Sequence, residues 1–322
     1  VQVLGFGGAL LHTLNHAVFE SLLFIGSGVI SQNLGTRNIE AMGGLVRSAK
    51  YFVILFLIGS VAICGIPPLN GFISEFVIFN AFFTAARECG GYYPLLMLLL
   101  TVGLAFVGGL AIACFSKINS IMFLGSERKE AKPFHTGACG YASLAFLAAA
   151  CVCIGFCPRP FLSVISTVLS DGLVPAASPS KLMEINWTGI SLVFLSLTAA
   201  VLLLAALRLV VRKRYGGRRS AAWGCGNDSL DARVQYTASS FADEINGIPG
   251  SVLVYEKIEN VHSGVFPEKG HFKSHSHDFV DTKILIPGFI RIRSLVSRLE
   301  VFNHTDLRYY IAFILVIITF YS

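Results

Sequence analysis

Charged residues are scarce in this chain. Only 14% of its 322 residues are Asp, Glu, Lys or Arg, and 54% are hydrophobic, whereas soluble globular domains usually carry about 25% charged residues. The composition therefore excludes an ordinary soluble domain and predicts that most of the chain lies in a membrane. An apolar segment follows Val1 directly, without a signal-peptide cleavage site, so we expect the chain to be the C-terminal part of a longer protein.

The sequence also lacks the patterns of soluble enzymes and cofactor sites. It contains no Gly-rich phosphate-binding loop, no paired catalytic carboxylates and no nucleophile elbow. Its eight cysteines show no C-x-x-C spacing, and six lie in or beside apolar segments, where cysteine usually serves as a small apolar residue. We therefore predict no metal site, no bound cofactor and no disulfide scaffold in this chain.

Long apolar segments are abundant instead. A transmembrane helix needs about 20 apolar residues. By that measure we expect about seven membrane spans, near 3–31, 50–66, 69–86, 93–124, 139–157, 188–211 and 307–321. The predicted fold class is all-α, a polytopic transmembrane helical bundle.

The second and third of these segments are short and are joined by Pro67 and Pro68. Proline donates no backbone hydrogen bond and breaks a helix. Discontinuous helices of this kind occur at transport sites in carriers, where protein or water satisfies the free backbone groups. A tight turn between two separate helices would produce the same pattern, and the sequence leaves both interpretations open.

The distribution of basic residues predicts the orientation. Six follow the 188–211 span: Arg208, Arg212, Lys213, Arg214, Arg218 and Arg219. Because cytoplasmic loops carry an excess of Lys and Arg, we place this end in the cytoplasm and interpret the charge as a topology signal, with no nucleic acid as a partner. Counting spans backwards makes the 125–137 loop cytoplasmic, with its Arg128, Lys129 and Lys132. The same count places the 32–49 loop outside, although it holds Arg37 and Arg47.

Residues 213–305 form the one long polar stretch. Its HFKSHSH sequence, 271–277, has three histidines but no carboxylate or cysteine spaced to complete a metal site, and we interpret it as a solvated loop. Residues 283–301 alternate apolar and basic side chains at helical spacing. This pattern predicts an amphipathic helix that lies in the membrane interface or packs on a partner protein.

Titratable side chains occur in register inside the first apolar segment, LLHTLNHAVFESLLF. His12, His16 and Glu20 are each four residues apart, so they share one stripe about 12 Å long on a helix. An ionised group at the bilayer centre costs about 2.5–3.5 kcal/mol, and we therefore expect the stripe to face protein or a water-filled cavity. Histidine exchanges protons near neutral pH, and a desolvated glutamate can do the same. The alternative is a set of hydrogen bonds that only holds helices together.

Two further charged residues lie in apolar segments. Glu75 follows Pro67 by eight residues, and Lys117 lies nearer a helix end, where its amine could extend to the membrane surface. We group both with the stripe as a candidate proton path. Polar residues expected to hold bridging water are Asn15, Asn70, Ser74 and Ser116.

These segments resemble a known family. The sequences HTLNHAVFESLLFIGSG, GIPPLNGFISEFVIFNAFF and GGLAIACFSKINSIMFLG are similar to the antiporter-like subunits of respiratory complex I, Mrp-type antiporters and membrane-bound hydrogenases. Residues 221–243, AAWGCGNDSLDARVQYTASSFAD, resemble the subgroup of large membrane subunits found in formate hydrogenlyase and hydrogenase-4.

The resemblance implies a helical bundle with two inverted repeats of five helices, of which this chain would supply the second. In the family, each repeat holds a broken helix and buried ionisable groups linked by water. On that mapping His12 and His16 match the central histidines, Glu75 matches the ionisable position of the helix broken at Pro67, Pro68 and Gly71, and Lys117 matches a basic residue of the next helix.

Glu20 departs from this pattern, since the family usually has lysine there. A glutamate could still carry a proton, pair with Lys117 or bind a cation. The role of the 221–243 segment stays open between docking on a hydrogenase arm and closing the bundle from below.

The resemblance thus implies a proton-translocating subunit of a hydrogenase-type redox complex in a bacterial or archaeal cytoplasmic membrane. Its partners would be membrane lipids, other membrane subunits and hydrogenase-arm subunits that carry out the redox chemistry. The alternatives are a subunit of a cation/proton antiporter or of NADH:quinone oxidoreductase, and a structural anchor. We divide the chain into the helical repeat 1–157, a loop and further span over 158–212, the polar segment 213–305 and a last span over 306–322.

Overall fold

A computed structural model describes residues 1–128, 134–173, 180–216, 235–246, 254–261, 270–277, 280–299, 311 and 314–319. The chain forms two compact units, Val1–Ala238 and Ser239–Ser322. Several predictions lie outside the described residues: those on Lys129, Lys132, Arg218 and Arg219, on 221–234, and on most of the last span.

The first unit is helical. Its helices are α1 (Gln2–Leu34), α2 (Lys50–Ile63), α3 (Asn70–Glu88), α4 (Tyr93–Phe123), α5 (Ala138–Phe156), α6 (Pro158–Val168), α7 (Ser180–Met183) and α8 (Trp187–Tyr215), and α9 (Ala238–Asn246) begins at its last residue. A short 3₁₀ turn covers Ile39–Ala41 and a π-helical turn covers Leu169–Leu173. Four of these helices, α1, α4, α5 and α8, are each long and apolar enough to cross a membrane. The predicted all-α membrane bundle is therefore confirmed.

Helices α2 and α3 lie end to end along α1. The contacts that show this are Gly26 with Phe56, Leu22 with Gly59, His12 with Ser74 and Gly8 with Ile78. Residue numbers fall along α1 while they rise through both α2 and α3, so both helices run antiparallel to α1 and in the same direction. Two helices joined by a tight turn would run in opposite directions. The segments expected as separate spans near 50–66 and 69–86 therefore form a single, discontinuous span.

The loops at one end of the bundle correct the predicted orientation. The Gly44 amide donates to the Leu124 carbonyl at 2.9 Å and the Val46 amide to the Phe123 carbonyl at 3.0 Å. The α1–α2 and α4–α5 loops thus lie on the same side. The prediction that the 32–49 and 125–137 loops lie on opposite sides was wrong, because the broken helix had been counted as two spans. With one span removed, Arg37 and Arg47 join Arg128 on the side expected to be cytoplasmic.

Apolar packing is concentrated in two clusters. One lies toward the α1–α2 loop and includes Phe19, Leu22, Phe52, Phe56 and Phe123. The other lies toward the opposite end and includes Leu11, Ile73, Val77, Leu162 and Trp187. Between α5 and α8, where only a loop was expected, the short helix α6 buries Leu162 and Ile165 in the second cluster. Its 11 residues are too few to produce a hydropathy signal for a span.

The second unit contains an antiparallel hairpin and a helix. Strands β1 (Val254–Val261) and β2 (Gly270–His277) pair with Val254 opposite His277 and Val261 opposite Gly270. The HFKSHSH segment, expected to be a solvated loop, is therefore a strand, because its backbone pairs with a segment earlier in the chain. Helix α10 (Ile286–Leu299) follows a π-helical turn at Asp281–Leu285 and lies within the predicted 283–301 helix.

Candidate functional site

The break between α2 and α3 is enclosed by closely packed backbone. Residues 64–69 separate the two helices and contain a cis peptide bond between Pro67 and Pro68. At Gly71, a Cβ atom would collide with the Ala62 carbonyl oxygen at the end of α2. At Gly155 of α5, it would collide with the Pro68 carbonyl oxygen. Glycine at these positions therefore lets α2, α3 and α5 approach one another around the break.

A buried polar cluster joins α1 to the first turn of α3. His12 Nδ1 lies 3.0 Å from Ser74 Oγ. Asn15 Nδ2 donates to the Asn70 carbonyl oxygen at 2.8 Å, and Asn70 Nδ2 donates to Asn15 Oδ1 at 3.2 Å. Asn15, Asn70 and Ser74 are fully buried. Three of the residues expected to hold bridging water therefore lie together at the break.

One acceptor in this cluster has no partner within the described part of the chain. Asn70 Oδ1 is buried and receives no hydrogen bond there. A buried, unpaired acceptor costs about 1–3 kcal/mol, and such groups often mark ordered water or an ion. Asn70 Oδ1 can therefore accept one further hydrogen bond.

Glu75 lies on another side of α3. Consecutive helical residues point about 100° apart, so the side chain of Glu75 leaves the His12–Ser74 side. Its carboxylate lies against Gly65, where a Cβ atom would meet both oxygens, and it is within electrostatic reach of Cys64, which is also close to Cys114 of α4. Glu75 thus faces the end of α2 and the neighbouring α4.

Lys117 lies on the same helix as Cys114, one turn further on, and is half-buried. Within the described ranges, the structure shows no ion pair between Lys117 and Glu75 or Glu20. One turn before the break, Ser60 Oγ lies 3.4 Å from Asn119 Oδ1, which links α2 to α4. Sequence analysis had not singled out this pair, although a serine inside the apolar run of α2 was a signal for it.

The three residues of the α1 stripe have different surroundings. His12 is half-buried at Ser74, whereas the His16 side chain is 54% exposed and that of Glu20 is 32% exposed. The buried face of α1 contains Leu11, Asn15, Phe19 and Leu22, so the stripe runs along the edge of this face. His12 faces protein as expected, whereas the rings near His16 belong to His12 and Phe19 of the same helix.

Glu20 has a local partner. Its Oε2 atom lies 3.9 Å from Nε2 of His16, one turn earlier on α1. This separation allows an electrostatic contact when His16 is protonated, but it is longer than a hydrogen bond. Pairing with Lys117, one of the three alternatives that the sequence left open for Glu20, is not seen among the described residues.

The fold and these groups define a class of protein. It is a polytopic membrane bundle whose discontinuous helix is flanked by buried polar and titratable side chains, which is the arrangement found in membrane proteins that move ions.

Comparisons with known proteins assign this bundle to a family. Residues 1–106 match the transmembrane family described as NADH:quinone oxidoreductase/Mrp antiporter. Formate hydrogenlyase subunit 3 of Escherichia coli K12 is 35% identical over 260 residues, which cover 79% of this chain and 41% of that protein. Hydrogenase-4 component B of the same organism is 35% identical over 245 residues, 70% of this chain and 35% of that protein.

More distant matches include antiporters. A probable K⁺/H⁺ antiporter protein of Rhizobium meliloti is 32% identical over 172 residues, 51% of this chain and 17% of that protein. Among solved structures, the Mrp complex from Dietzia sp. DQ12-45-1b matches with a TM-score of 0.44 and 17% identity, over 56% of this chain and 40% of that chain.

The matched residues 1–106 therefore belong to this family of antiporter-like membrane subunits, and the chain is a multi-pass protein of the cytoplasmic membrane. It spans less than half the length of the two curated hydrogenase relatives that it matches.

Proposed function

We propose that the chain is a proton-translocating membrane subunit of a redox complex related to hydrogenase-4 and formate hydrogenlyase. The observation that carries this proposal is the contact between His12 of α1 and Ser74 of α3 at the break in the α2–α3 span. It brings an imidazole, which can accept a proton on one ring nitrogen and donate one from the other, to a place where helix ends and buried amides meet. The similarity to the two E. coli hydrogenase-type proteins supports the same function.

In this proposal, protons move between titratable groups through water. His16 and Glu20 exchange protons along the edge of α1, and His12 passes them to the cluster of Asn15, Asn70 and Ser74. The unpaired Asn70 Oδ1 holds a water molecule beside that cluster.

Glu75 then receives the proton on the side of α3 that faces α4, and Lys117 is the next group along α4. Since no direct contact between Glu75 and Lys117 is present among the described residues, this step requires bridging water.

The proposal extends to the organisation of the complex. The 1–157 segment forms the helical repeat with the proton path, and 158–212 adds a loop and a further span. The polar segment and last span contact membrane lipids, other membrane subunits and the hydrogenase arm. Electron transfer takes place in the other subunits of the complex.

The test uses the full-length protein in its complete complex, in inverted membrane vesicles. Glu75→Gln and His12→Ala are each expected to lower redox-driven proton uptake by at least 10-fold, because each removes one group of a serial path. Proton uptake is followed with a pH-sensitive dye, and assembly by the amount of complex recovered from the membrane.

Two substitutions serve as matched controls. Glu88→Gln removes a carboxylate from the exposed end of the same helix, and His135→Ala removes an exposed imidazole whose observed hydrogen bonds use only the backbone. Both are expected to pump normally. Unchanged pumping in Glu75→Gln and His12→Ala, at normal assembly, would support a structural anchor instead.

A cation/proton antiporter component is a second candidate. Two observations favour it: the similarity to the Rhizobium antiporter protein, and the carboxylate at Glu20 where the family usually has lysine. An antiporter would move protons when Na⁺ or K⁺ is added to energised vesicles without a redox substrate. A hydrogenase-type complex would respond only to the redox reaction.

A further inference from the structure

Three segments distant in sequence meet at the end of the bundle that carries the α1–α2 loop. They are the α1–α2 loop itself, the residues that follow α4, and Gln235–Thr237, which we name the strap. The strap lies in the ARVQYTASSF sequence. This sequence has no role in the proposed proton path or in the core of the bundle.

Gln235 binds the backbone after α4 with both ends of its amide. The Ser126 amide donates to Gln235 Oε1 at 2.8 Å, and Gln235 Nε2 donates to the Ser126 carbonyl oxygen at 3.0 Å. Such paired hydrogen bonds fix both distance and orientation. The preceding Gly125 has φ +77°, and a Cβ atom there would collide with Gln235 Oε1. The backbone at this turn is therefore shaped to receive the glutamine.

Arg128 connects all three segments. Its Nη1 donates to the Glu40 carbonyl oxygen and its Nη2 to the Tyr236 carbonyl oxygen, each at 2.6 Å. Nη1 also lies 3.7 Å from the Glu40 carboxylate, and only 11% of the arginine side chain is exposed. One guanidinium, largely shielded from water, thus joins the α1–α2 loop to the strap.

The two loops pack against each other at backbone distance. A Cβ atom at Gly43 would lie 2.6 Å from the Ser126 carbonyl oxygen, and one at Gly44 would lie 3.0 Å from the Glu127 amide nitrogen. Small shifts of either loop are therefore transmitted directly to the other.

The buried part of α4 lies at this end of the bundle. Of its 31 residues, the buried ones are Ile121, Met122 and Phe123, in the last turn. Most of the helix surface is thus open within this unit, and the buried turn lies directly before the residues bound by Gln235 and Arg128. The strap therefore acts where the last turn of α4 meets α2 and the α1–α2 loop.

We propose that Gln235 and Arg128 are positioning residues: the strap clasps the α1–α2 loop to the end of α4 and so sets how α4, with Lys117, lies relative to α1, with His12. The contacts of the strap with the two loops do not depend on the proposed transport activity. The effect of these contacts on proton transport does rest on that proposed activity.

The first experiment measures amide hydrogen exchange of the full-length protein in its complex. Gln235→Leu keeps most of the side-chain volume but removes both hydrogen bonds. We expect exchange in peptides covering 124–128 and 43–46 to accelerate at least 10-fold. Gln32→Leu, at an exposed glutamine near the end of α1, is the matched control and should leave both peptides unchanged. Unchanged exchange in Gln235→Leu would overturn the clasp.

A pair of glycine substitutions tests the same contact by changing Gly125 instead of Gln235. Gly125→Ala and Gly35→Ala both place a side chain at positive φ, but a Cβ atom at Gly35 has nothing within 4 Å. Only Gly125→Ala should accelerate exchange at 43–46. In a Gln235→Ala background, Gly125→Ala should add no further acceleration there, because the oxygen with which it collides is gone. Equal effects of the two glycine substitutions would contradict the proposed contact.

The transport consequence is tested in the same variants. Gln235→Leu should lower redox-driven proton uptake at least 3-fold at normal assembly, and Gln32→Leu should not. If exchange accelerates while uptake is unchanged, the positioning role is refuted. If the unsubstituted complex pumps no protons, the proposed function fails, and the exchange results still decide whether the strap binds the loops.

Discussion

The closest backbone approach at the break provides a sharp test of this architecture. Gly71→Ala would place a methyl group against the Ala62 carbonyl oxygen, with the carbonyl carbon 3.0 Å away and the Gly65 Cα 3.5 Å away. These are backbone atoms, so no side chain can rotate to make room. Replacing glycine by alanine inside a helix alone stabilises by about 1 kcal/mol, whereas overpacking of this kind costs about 1–3 kcal/mol.

We therefore expect Gly71→Ala to destabilise the protein by up to about 2 kcal/mol, seen as a lowered melting temperature. Thermal unfolding of the detergent-solubilised complex measures this shift. Gly108→Ala in α4 is the matched control, since a Cβ atom there has nothing within 4 Å, and it should be neutral or slightly stabilising. Equal melting temperatures for the two variants would refute the close packing of α2 on α3.

Two further predictions concern the buried amides and the topology. Asn15→Leu should lower stability by about 1–3 kcal/mol in the same thermal assay, because it leaves the buried Asn70 amide without its partner. The double variant with Asn70→Leu should lose less than the two single losses combined. Additive losses would show that the side chains do not interact. Single cysteines introduced at Thr36 and Glu127 in a cysteine-free protein should both react with a membrane-impermeant thiol reagent from the same side of the membrane. A cysteine at Arg87 should react from the other side. Labelling of positions 36 and 127 from opposite sides would exclude a single α2–α3 span.

Local properties of the chain were predictable from its sequence. The spans expected at 93–124 and 188–211 correspond to α4 (Tyr93–Phe123) and α8 (Trp187–Tyr215), because apolar length and composition act within one segment. Pro67 and Pro68 located the break for the same reason. The residues expected around a water path, Asn15, Asn70 and Ser74, were identified because buried polar groups in apolar helices need partners.

Properties that depend on a second segment were not predictable. The direction of α3 after the break determines whether one or two spans are present, and this follows only from contacts with α1. The error at this point reversed the expected side of the 32–49 loop. His16 shares a stripe with His12, but which of them lies against α3 depends on how α1 is rotated in the bundle. The strand at 270–277 and the binding of Ser126 by Gln235 likewise require partners that are distant in sequence.

The sequence by itself determined that this is a membrane-embedded helical protein, where its long apolar helices lie, where one of them breaks and which titratable groups it places in apolar surroundings. Only the tertiary structure decided that α2 and α3 form a single span, that His12 and not His16 meets the break, and that residues 235–237 tie two loops together. The physical reason is that helix formation and membrane insertion depend on neighbouring residues and the solvent, whereas helix direction, rotation and loop pairing depend on contacts between segments that the linear sequence does not bring together.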